Sequence, residues 1–427
     1  MKARPVMPRG SRGLLLAATV ACGLVLLAAA IASRAIDTHD PQDGRAAARL
    51  VVTSADDAGP GTLRDAILAA DRLSTHCHIV IESPRIVIES GLPALINPHG
   101  IDIEALPRAG TIDAARAAKG PAIEIKSPRS SLAGLHVVHA RDYGILVDAP
   151  GADLTSVTVT DSKVGILLSA GASGAIVRTS LLQHDDTGII AEPDIRHITL
   201  ASDIFRLNTR AGLWFVGAAK ARRAARDAPA QEEPLIRVID TVFEKNATGV
   251  VLANEATLLR KDRFIDNGTA LNVLGGAAGV EDCEIRGSQA DAVSVSSGRS
   301  VVLAHNVLVD NRATALIVRD SEVRVESNTL SGNGLGLVLI GGPGDFTPLV
   351  KGNQIIGSRG DGITLIGGGL LLKKNRLLGN HGAGLRPLDL IQGQVRIKAA
   401  PRLDGNLFRA NGLDIAPTRA YRLSGAS

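Results

Sequence analysis

The chain has 427 residues with 47 basic and 43 acidic side chains, so its formal net charge is only +4. The basic residues are scattered along the sequence, which argues against a nucleic-acid-binding protein. Aromatic residues make up 2% of the sequence and hydrophobic types 45%, so a core must consist mainly of Ala, Val, Ile and Leu. Three cysteines do not suffice for a disulfide-held fold, and Cys77 and Cys283 are expected to be buried free thiols.

The N-terminus is predicted to direct the chain to a membrane. Residues 1–13 are basic, and no charged residue occurs in 14–32. Nineteen such residues approach the roughly 20 that a membrane-spanning helix needs, which favours a signal anchor within 14–35. A small-residue site before Ser33 leaves a cleaved signal peptide as the alternative. In both cases the remainder is expected outside the cytoplasm, in the periplasm or beyond, after a linker at 36–48.

A short helix is predicted at Thr62 to Leu73, directly after the glycine-rich turn in "GPGTLRDAI". The turn has no lysine after its last glycine, so a phosphate-binding loop is excluded. Thr62 is a good N-cap, and Asp65 lies where its carboxylate favours the helix start. The apolar residues recur on one face and are expected to lie over the start of the core; they are Leu63, Ile67, Ala70 and Leu73.

A short repeat follows the helix. A small turn residue, followed by apolar residues at its first and third positions, recurs mostly every 21–28 residues, with one gap of 37. The alternation predicts strands, and the period is too short for paired helices. The turn residues are Gly144, Gly165, Gly188, Gly212, Gly249, Ala270, Ala292, Ala315, Gly336, Gly362, Gly384 and Gly412.

A second pattern precedes the turn residues: a short apolar strand ends at an asparagine with fixed spacing. These asparagines are expected to stack at one corner of successive coils, because Asn suits a turn and its amide can form a ladder of hydrogen bonds. Asp185 aligns with this column. The predicted ladder contains Asn267, Asn311, Asn333, Asn380 and Asn411.

These repeats, together with the "DAGPGTLRDAI" segment and the strands "HIVIES" and "RIVIES" after it, resemble the right-handed parallel β-helix proteins of the pectin-lyase-like superfamily. The resemblance covers roughly 49–417 and leaves a tail at 418–427. It implies an all-β solenoid with an N-terminal capping helix and an N-terminal membrane-directing segment. Neighbouring coils would then lie one strand spacing, about 4.8 Å, apart.

The second residue after each turn residue is expected to point outward. The first five are apolar and include Trp214, the only tryptophan, and an exposed apolar row needs a cover or a partner. The insertion at 218–234 could fold over this row. Alternatively the row is a groove in which Trp214 stacks on a sugar and basic side chains of the insertion face an acidic polysaccharide. The full row is Leu146, Leu167, Ile190, Trp214, Val251, Asn272, Ser294, Ile317, Val338, Thr364, Arg386 and Asp414. The basic side chains of the insertion are Lys220, Arg222, Arg223 and Arg226.

Two residues before the turn residues, four consecutive coils carry Asp142, Lys163, Asp186 and Arg210, with His184 near the same end. A ladder of solvated ion pairs is the simpler interpretation. The resemblance implies a second one, since the superfamily includes lyases and epimerases with a carboxylate-bound calcium and a Lys or Arg base. Lys163 or Arg210 would then be the base, and Asp142 and Asp186 would hold calcium.

The sequence departs from these enzymes, because the "DPHD" motif of alginate epimerases is absent and polygalacturonase-like fragments are scattered. An envelope-associated carbohydrate-binding or scaffold protein, which requires no cofactor, is therefore the first hypothesis. A lyase or epimerase acting on a uronate polysaccharide, with calcium, is the second. The expected partners are a polysaccharide or envelope component and, through the N-terminal helix, a membrane. An assembly or transport accessory remains a third alternative.

Overall fold

The computed structural model describes residues 48–217, 236–253, 256–341 and 346–422. The chain divides into two units, Met1–Ala46 and Ala47–Ser427, and every described residue belongs to the second. The predicted anchor or signal peptide at 14–35 lies outside the described residues. Within the described ranges, no helix is both long enough and apolar enough to cross a membrane.

Three parallel sheets run along the described unit, and successive coils add one strand to each. Sheet A has fifteen strands: Ala48–Val52, Cys77–Ile81, Ile101–Ala105, Ser131–Ala133, Asp153–Thr155, Ile176–Arg178, Ile198–Ala201, Ile236–Ile239, Thr257–Arg260, Ala278–Glu281, Val301–Ala304, Val323–Glu326, Leu349–Lys351, Gly368–Lys373 and Ala399–Asp404. Sheet B has fourteen: Arg85–Val87, Thr111–Asp113, His136–Val138, Thr158–Thr160, Leu181–Gln183, Ile204–Arg206, Val242–Glu244, Arg263–Ile265, Glu284–Arg286, Val307–Val309, Thr329–Ser331, Gln354–Ile356, Arg376–Leu378 and Leu407–Arg409.

Sheet C is formed by the strands that follow the predicted turn residues, and it closes each coil. Its parallel strands are Pro121–Ile125, Tyr143–Val147, Val164–Leu168, Thr187–Ala191, Ala211–Phe215, Thr248–Leu252, Thr269–Val273, Val293–Ser296, Thr314–Arg319, Leu335–Ile340, Ile363–Ile366 and Ala383–Gln392. The last of these pairs antiparallel with Val395–Ile397 and parallel with Leu413–Ile415 and Arg419–Arg422. The last strand lies in the segment that the sequence interpretation assigned to the tail.

Helix α1, Leu63–Ala70, packs against the first two strands of sheet A. Thr62 is its N-cap, because the Thr62 side chain accepts a hydrogen bond from the Asp65 backbone at 3.2 Å. Leu63, Ile67 and Ala70 are buried, as their spacing predicts. A 3₁₀ turn at Ala170–Ala172 is the other helical segment of the described ranges.

The apolar side chains at the inward positions of each strand fill the space between the three sheets and form the core. Cys77 and Cys283 are buried free thiols, as expected. The Cys283 thiol lies 3.7 Å from the Leu259 carbonyl oxygen, which it can meet as a weak donor. Three phenylalanines, Phe205, Phe243 and Phe264, stack inside sheet B with centroids 5.0 and 4.9 Å apart.

The predicted asparagine ladder is present at the corner between sheets B and C. In each step, an Asn Oδ1 accepts from the backbone N–H and the Nδ2 of the Asn one coil earlier, as between Asn311 and Asn333 at 3.0 and 2.9 Å. The Nδ2 of each Asn also donates to a backbone carbonyl of the sheet B strand one coil earlier. The ladder includes Asn208, Asn246, Asn267, Asn311, Asn333, Asn380 and Asn411. A second ladder, which the sequence interpretation missed, joins Asn306, Asn328, Asn353, Asn375 and Asn406.

Two serines interrupt the first ladder, and this leads to a stability prediction. Ser288 and Ser358 are buried in the column, and neither hydroxyl has a hydrogen-bond partner. Asn at either position could accept from the preceding Asn and donate to a backbone carbonyl. We expect Ser288→Asn and Ser358→Asn each to raise the free energy of unfolding by about 1 kcal/mol, measured by urea unfolding.

The reverse change, Asn311→Ser, is the matched control and should lower the free energy of unfolding, because it leaves buried groups unpaired. If Ser288→Asn and Ser358→Asn also destabilise the protein, then steric crowding in the column outweighs the new hydrogen bonds, and the explanation is wrong.

Candidate functional site

Sheet C presents an apolar row on its outer surface in the early coils. The pairing register places Leu146, Leu167, Ile190, Trp214 and Val251 directly beside one another on successive strands. The first four are half-buried and Val251 is almost buried. The predicted outward direction of these residues is confirmed, because their neighbours in each strand fill the core. We call these five residues the apolar row.

Trp214 is held by Arg210, which precedes the same strand. The guanidinium carbon of Arg210 lies 3.8 Å from the centroid of the Trp214 ring. This distance is typical of a cation–π contact, which fixes the ring and keeps a positive charge beside it. Arg210 is exposed whereas Trp214 is half-buried. The pair therefore combines an aromatic surface with a cation that solvent can reach.

Asp142 and Lys163 form the ion pair that the sequence predicts. The Nζ of Lys163 lies 3.4 Å from an oxygen of Asp142, whose other oxygen accepts from the Gly120 backbone at 3.0 Å. The Lys163 side chain is 64% exposed, whereas that of Asp142 is 20% exposed. Solvent screening makes such a pair weak. Lys163 therefore keeps a largely accessible charge beside the apolar row.

The predicted charge ladder does not continue as ion pairs. The carboxylate of Asp186 accepts a hydrogen bond from the Thr209 hydroxyl at 3.0 Å, and Arg210 lies over Trp214. The structure thus brings Asp142 together with Lys163, and Arg210 with Trp214. Asp142 and Asp186 lie two coils apart with Lys163 between them, which corresponds to about 9.6 Å between their backbones.

Calcium needs several oxygens at 2.3–2.6 Å from the ion, and the positions of Asp142 and Asp186 do not bring their carboxylates to a common point. In the part of the chain that the structure describes, no group of three or more His, Cys, Asp and Glu side chains could hold a metal ion. The residues present therefore do not fit the calcium hypothesis.

His184 and Asp185 belong to the corner rather than to the face. His184 is exposed and has a positive φ of 58°, and its backbone N–H donates to the Arg206 carbonyl. Asp185 is fully buried in the column of the first asparagine ladder, where it accepts from the Ser162 backbone at 2.8 Å. Burial raises the pKa of Asp185 to about 8.

Polar residues at the opposite end of the same strands were missed by the sequence interpretation. Asp148, Ser169 and Glu192 follow three successive strands of sheet C and lie at the next corner. The Ser169 hydroxyl donates to Asp148, and a Glu192 oxygen accepts from the Ala170 backbone at 3.3 Å. Their recurrence at the fourth position after the turn residues was the signal that could have identified them.

The later outward positions differ from the early ones. Ile317 and Val338 are nearly buried and form a separate cluster with Ile366 and Leu390. Their side chains are therefore already packed against other residues of this chain. The placement of Asp414 in the row was wrong. Leu385 pairs with Ile415, so Asp414 lies beside Gly384. Asn411 still stacks on Asn380, but one residue fewer separates it from its sheet C strand, so Gly412 is not the equivalent of Gly384.

The proposed basic side chains of the insertion, Lys220, Arg222, Arg223 and Arg226, lie outside the described residues. Whether the insertion at 218–234 covers the apolar row or borders a groove therefore stays a prediction.

Comparisons with known proteins bear on the fold. A family model described as "Right handed beta helix region" matches residues 275–390. The catalytic unit of a thermostable alpha-1,3-glucanase from Streptomyces thermodiastaticus is similar in structure, with a TM-score of 0.55 and 14% identity over 88% of this chain and 70% of that chain.

Two further solved structures match with lower TM-scores. A periplasmic alginate epimerase has a TM-score of 0.44 and 12% identity over 78% of this chain and 76% of that chain. A surface adhesin of Streptococcus pneumoniae has a TM-score of 0.38 and 10% identity over 82% and 94%. The search of curated proteins gives no match. The three stacked parallel sheets, together with the family model matched over 275–390, show a right-handed parallel β-helix fold.

Proposed function

We propose that the outer face of sheet C binds an acidic polysaccharide. The observation that carries this proposal is the Arg210–Trp214 pair within the apolar row. An indole ring offers an apolar surface to the C–H face of a sugar, and a guanidinium beside it can pair with a uronate carboxylate. Lys163 adds a second accessible cation one coil spacing before Asp186.

The shape of the face supports an extended ligand. The apolar row crosses five adjacent coils, which corresponds to about 19 Å at one strand spacing per coil. Cations lie at one end of the strands, and Asp148, Ser169 and Glu192 lie at the other end. A chain of several sugar units along the row could place carboxylates towards the cations and hydroxyl groups towards the polar residues opposite.

Binding is favoured over lyase or epimerase chemistry. The catalytic hypothesis requires a base and a calcium site close together, yet Asp142 is paired with Lys163 and Asp186 is bonded to Thr209. We further propose that the segment at 14–35 directs the protein to a membrane for export. Helix α1 would cap the first coil of the solenoid. The role in the envelope would be to retain or present polysaccharide.

Calorimetric titration of the full chain with a polyuronate and with a neutral glucan tests the proposal. We expect binding to the polyuronate that weakens as salt is added, because exposed charges are screened. Trp214→Ala should weaken binding about tenfold, which equals about 1.4 kcal/mol. Arg210→Ala should weaken polyuronate binding by a similar factor, since it removes the cation and frees the ring.

Arg206→Ala is the matched control, because Arg206 is an exposed arginine of the same coil that lies on sheet B. Its substitution should leave binding unchanged. If Trp214→Ala retains full affinity and only lowers the melting temperature, the ring is structural and the groove does not exist. Release of unsaturated uronate products would instead favour the lyase.

A further inference from the structure

The last coil that the structure describes, which we call the open end, leaves core positions partly exposed. Leu403 pairs with the buried Leu372, and Ile415 pairs with the buried Leu385, so both occupy inward positions of the last coil. Leu403 is nevertheless 44% exposed and Ile415 is 48% exposed. Among the described residues, no further strand pairs with the outer edges of the strands that carry these side chains. The end therefore exposes apolar surface of the kind that marks an interaction site.

The backbone at this end is also unpaired on one side. The strands Ala399–Asp404 and Leu407–Arg409 are the last of sheets A and B. Their outer edges carry N–H and C=O groups that can accept another chain, and such edges are a common template for association. The end thus combines apolar surface with hydrogen-bonding capacity.

The opposite end is closed and has a different surface. Helix α1 covers Val52 there with Leu63 and Ile67, all of which are fully buried. Its outer side presents Asp65 and Leu68, and Leu68 is 41% exposed. This end therefore offers an apolar projection, where the C-terminal end offers an apolar opening.

The charges of the two ends are complementary. Residues 53–72, around the helix, contain four Asp and two Arg side chains. Residues 395–422, at the open end, contain six Arg and Lys and two Asp side chains. Contact between two open ends would bring like charges together, whereas contact between a helical end and an open end joins opposite charges.

We propose that a second copy of this chain docks its helical end onto the open C-terminal coil. Leu68 of one copy would then approach Leu403 and Ile415 of the other. Such a contact is heterologous, so each added copy leaves one helical end and one open end free. The association is therefore a linear, open series rather than a closed dimer. This inference is independent of polysaccharide binding.

Light scattering coupled to size-exclusion chromatography tests it, with the full chain kept in a mild detergent because of its apolar segment at 14–32. We expect the average mass to rise with protein concentration and to fall when salt is added. Ile415→Asp and Leu68→Asp should each give monomers. Both residues are exposed, so their variants should keep the melting temperature of the unaltered protein.

Mixing the two variants gives the decisive measurement. The Leu68→Asp chain keeps an intact open end and the Ile415→Asp chain keeps an intact helical end, so the mixture should form dimers that do not grow further. The control Val307→Asp alters an exposed valine on sheet B, 43% exposed, and should not change the association. A monomeric unaltered protein at every concentration, or association that Leu68→Asp does not affect, would overturn the proposal.

Discussion

Replacement of three buried aspartates by asparagine is expected to stabilise the protein strongly above neutral pH. Asp185, Asp203 and Asp262 are buried at corners of the coils, and each uses one oxygen to accept a backbone N–H at 2.8, 2.8 and 2.9 Å. Asn208 follows Asp185 in its column, and the column of Asp203 and Asp262 carries Asn in the later coils, from Asn306 onward. Their second oxygens have no partner. An Asn Nδ2 at the equivalent place donates to a backbone carbonyl. A protonated carboxyl group can donate there, whereas a carboxylate cannot.

Burial raises the pKa of Asp185 and Asp262 to about 8 and that of Asp203 to about 7. In the unfolded chain these groups ionise near pH 4, so the folded protein binds more protons between these values. The stability that they contribute is therefore complete below about pH 4 and is lost as the pH rises through 7 to 8. Asn cannot ionise and avoids this loss.

We expect Asp185→Asn and Asp262→Asn each to add about 5 kcal/mol, and Asp203→Asn about 4 kcal/mol, to the free energy of unfolding at pH 9. The gain should be much smaller at pH 5. Urea unfolding at both values and constant ionic strength provides the measurement. The control Asp310→Asn changes an exposed aspartate at a corner of the coil and should have little effect. A gain that is equal at pH 5 and pH 9 would mean that ionisation is not its cause.

Loss of the central ring of the phenylalanine stack is expected to be the most damaging single truncation in the core. Phe243 lies between Phe205 and Phe264, with interplanar angles of 10° and 12°, and all three are fully buried. Phe243→Ala should lower the free energy of unfolding by about 4 kcal/mol, because it leaves a cavity and removes two ring contacts.

The stack also lies behind the candidate face. A Cβ placed on Gly212, which lies in the same strand as Trp214, would be only 2.9 Å from the ring of Phe243. Phe243→Leu, which fills more of the space, should cause a smaller loss of stability than Phe243→Ala. Phe346→Ala alters an exposed ring, 39% exposed, and serves as the control. A loss below about 1 kcal/mol for Phe243→Ala would show that the coil collapses into the cavity.

The periodic features of the fold could be predicted from the sequence because each coil repeats the same local requirements. Turn residues such as Gly188 and Gly212 mark places where a Cβ would lie 2.6 and 2.8 Å from a carbonyl oxygen of the next coil. The asparagine ladder and the outward row follow from the same spacing. Asp414 shows the limit of prediction from spacing, because Gly412 looks like a turn residue although the register pairs Ile415 with Leu385.

Side-chain partners could not be predicted in the same way, because they depend on how long side chains fold across neighbouring coils. The sequence spacing predicts one column for Asp142, Lys163, Asp186 and Arg210. An unbroken ladder of ion pairs was one interpretation of that column. Only the tertiary structure decided that Arg210 lies over Trp214 and that Asp186 bonds to Thr209. Strand spacing determines which residues are adjacent, whereas competing hydrogen bonds and ring contacts determine which of them pair.

The solenoid, its corner ladder and the side of the coil on which the tryptophan lies could all be predicted from the residue pattern, because backbone spacing is regular from coil to coil. The sequence also predicts a helix over the first coil, whereas the structure alone shows that, among the described residues, no further strand pairs with the last strands of sheets A and B. Val52 is fully buried beneath helix α1, whereas Leu403 and Ile415 remain exposed although they repeat the same inward pattern. The physical reason is that burial of a core residue requires a following coil or a cap, which no residue pattern within its own coil can supply.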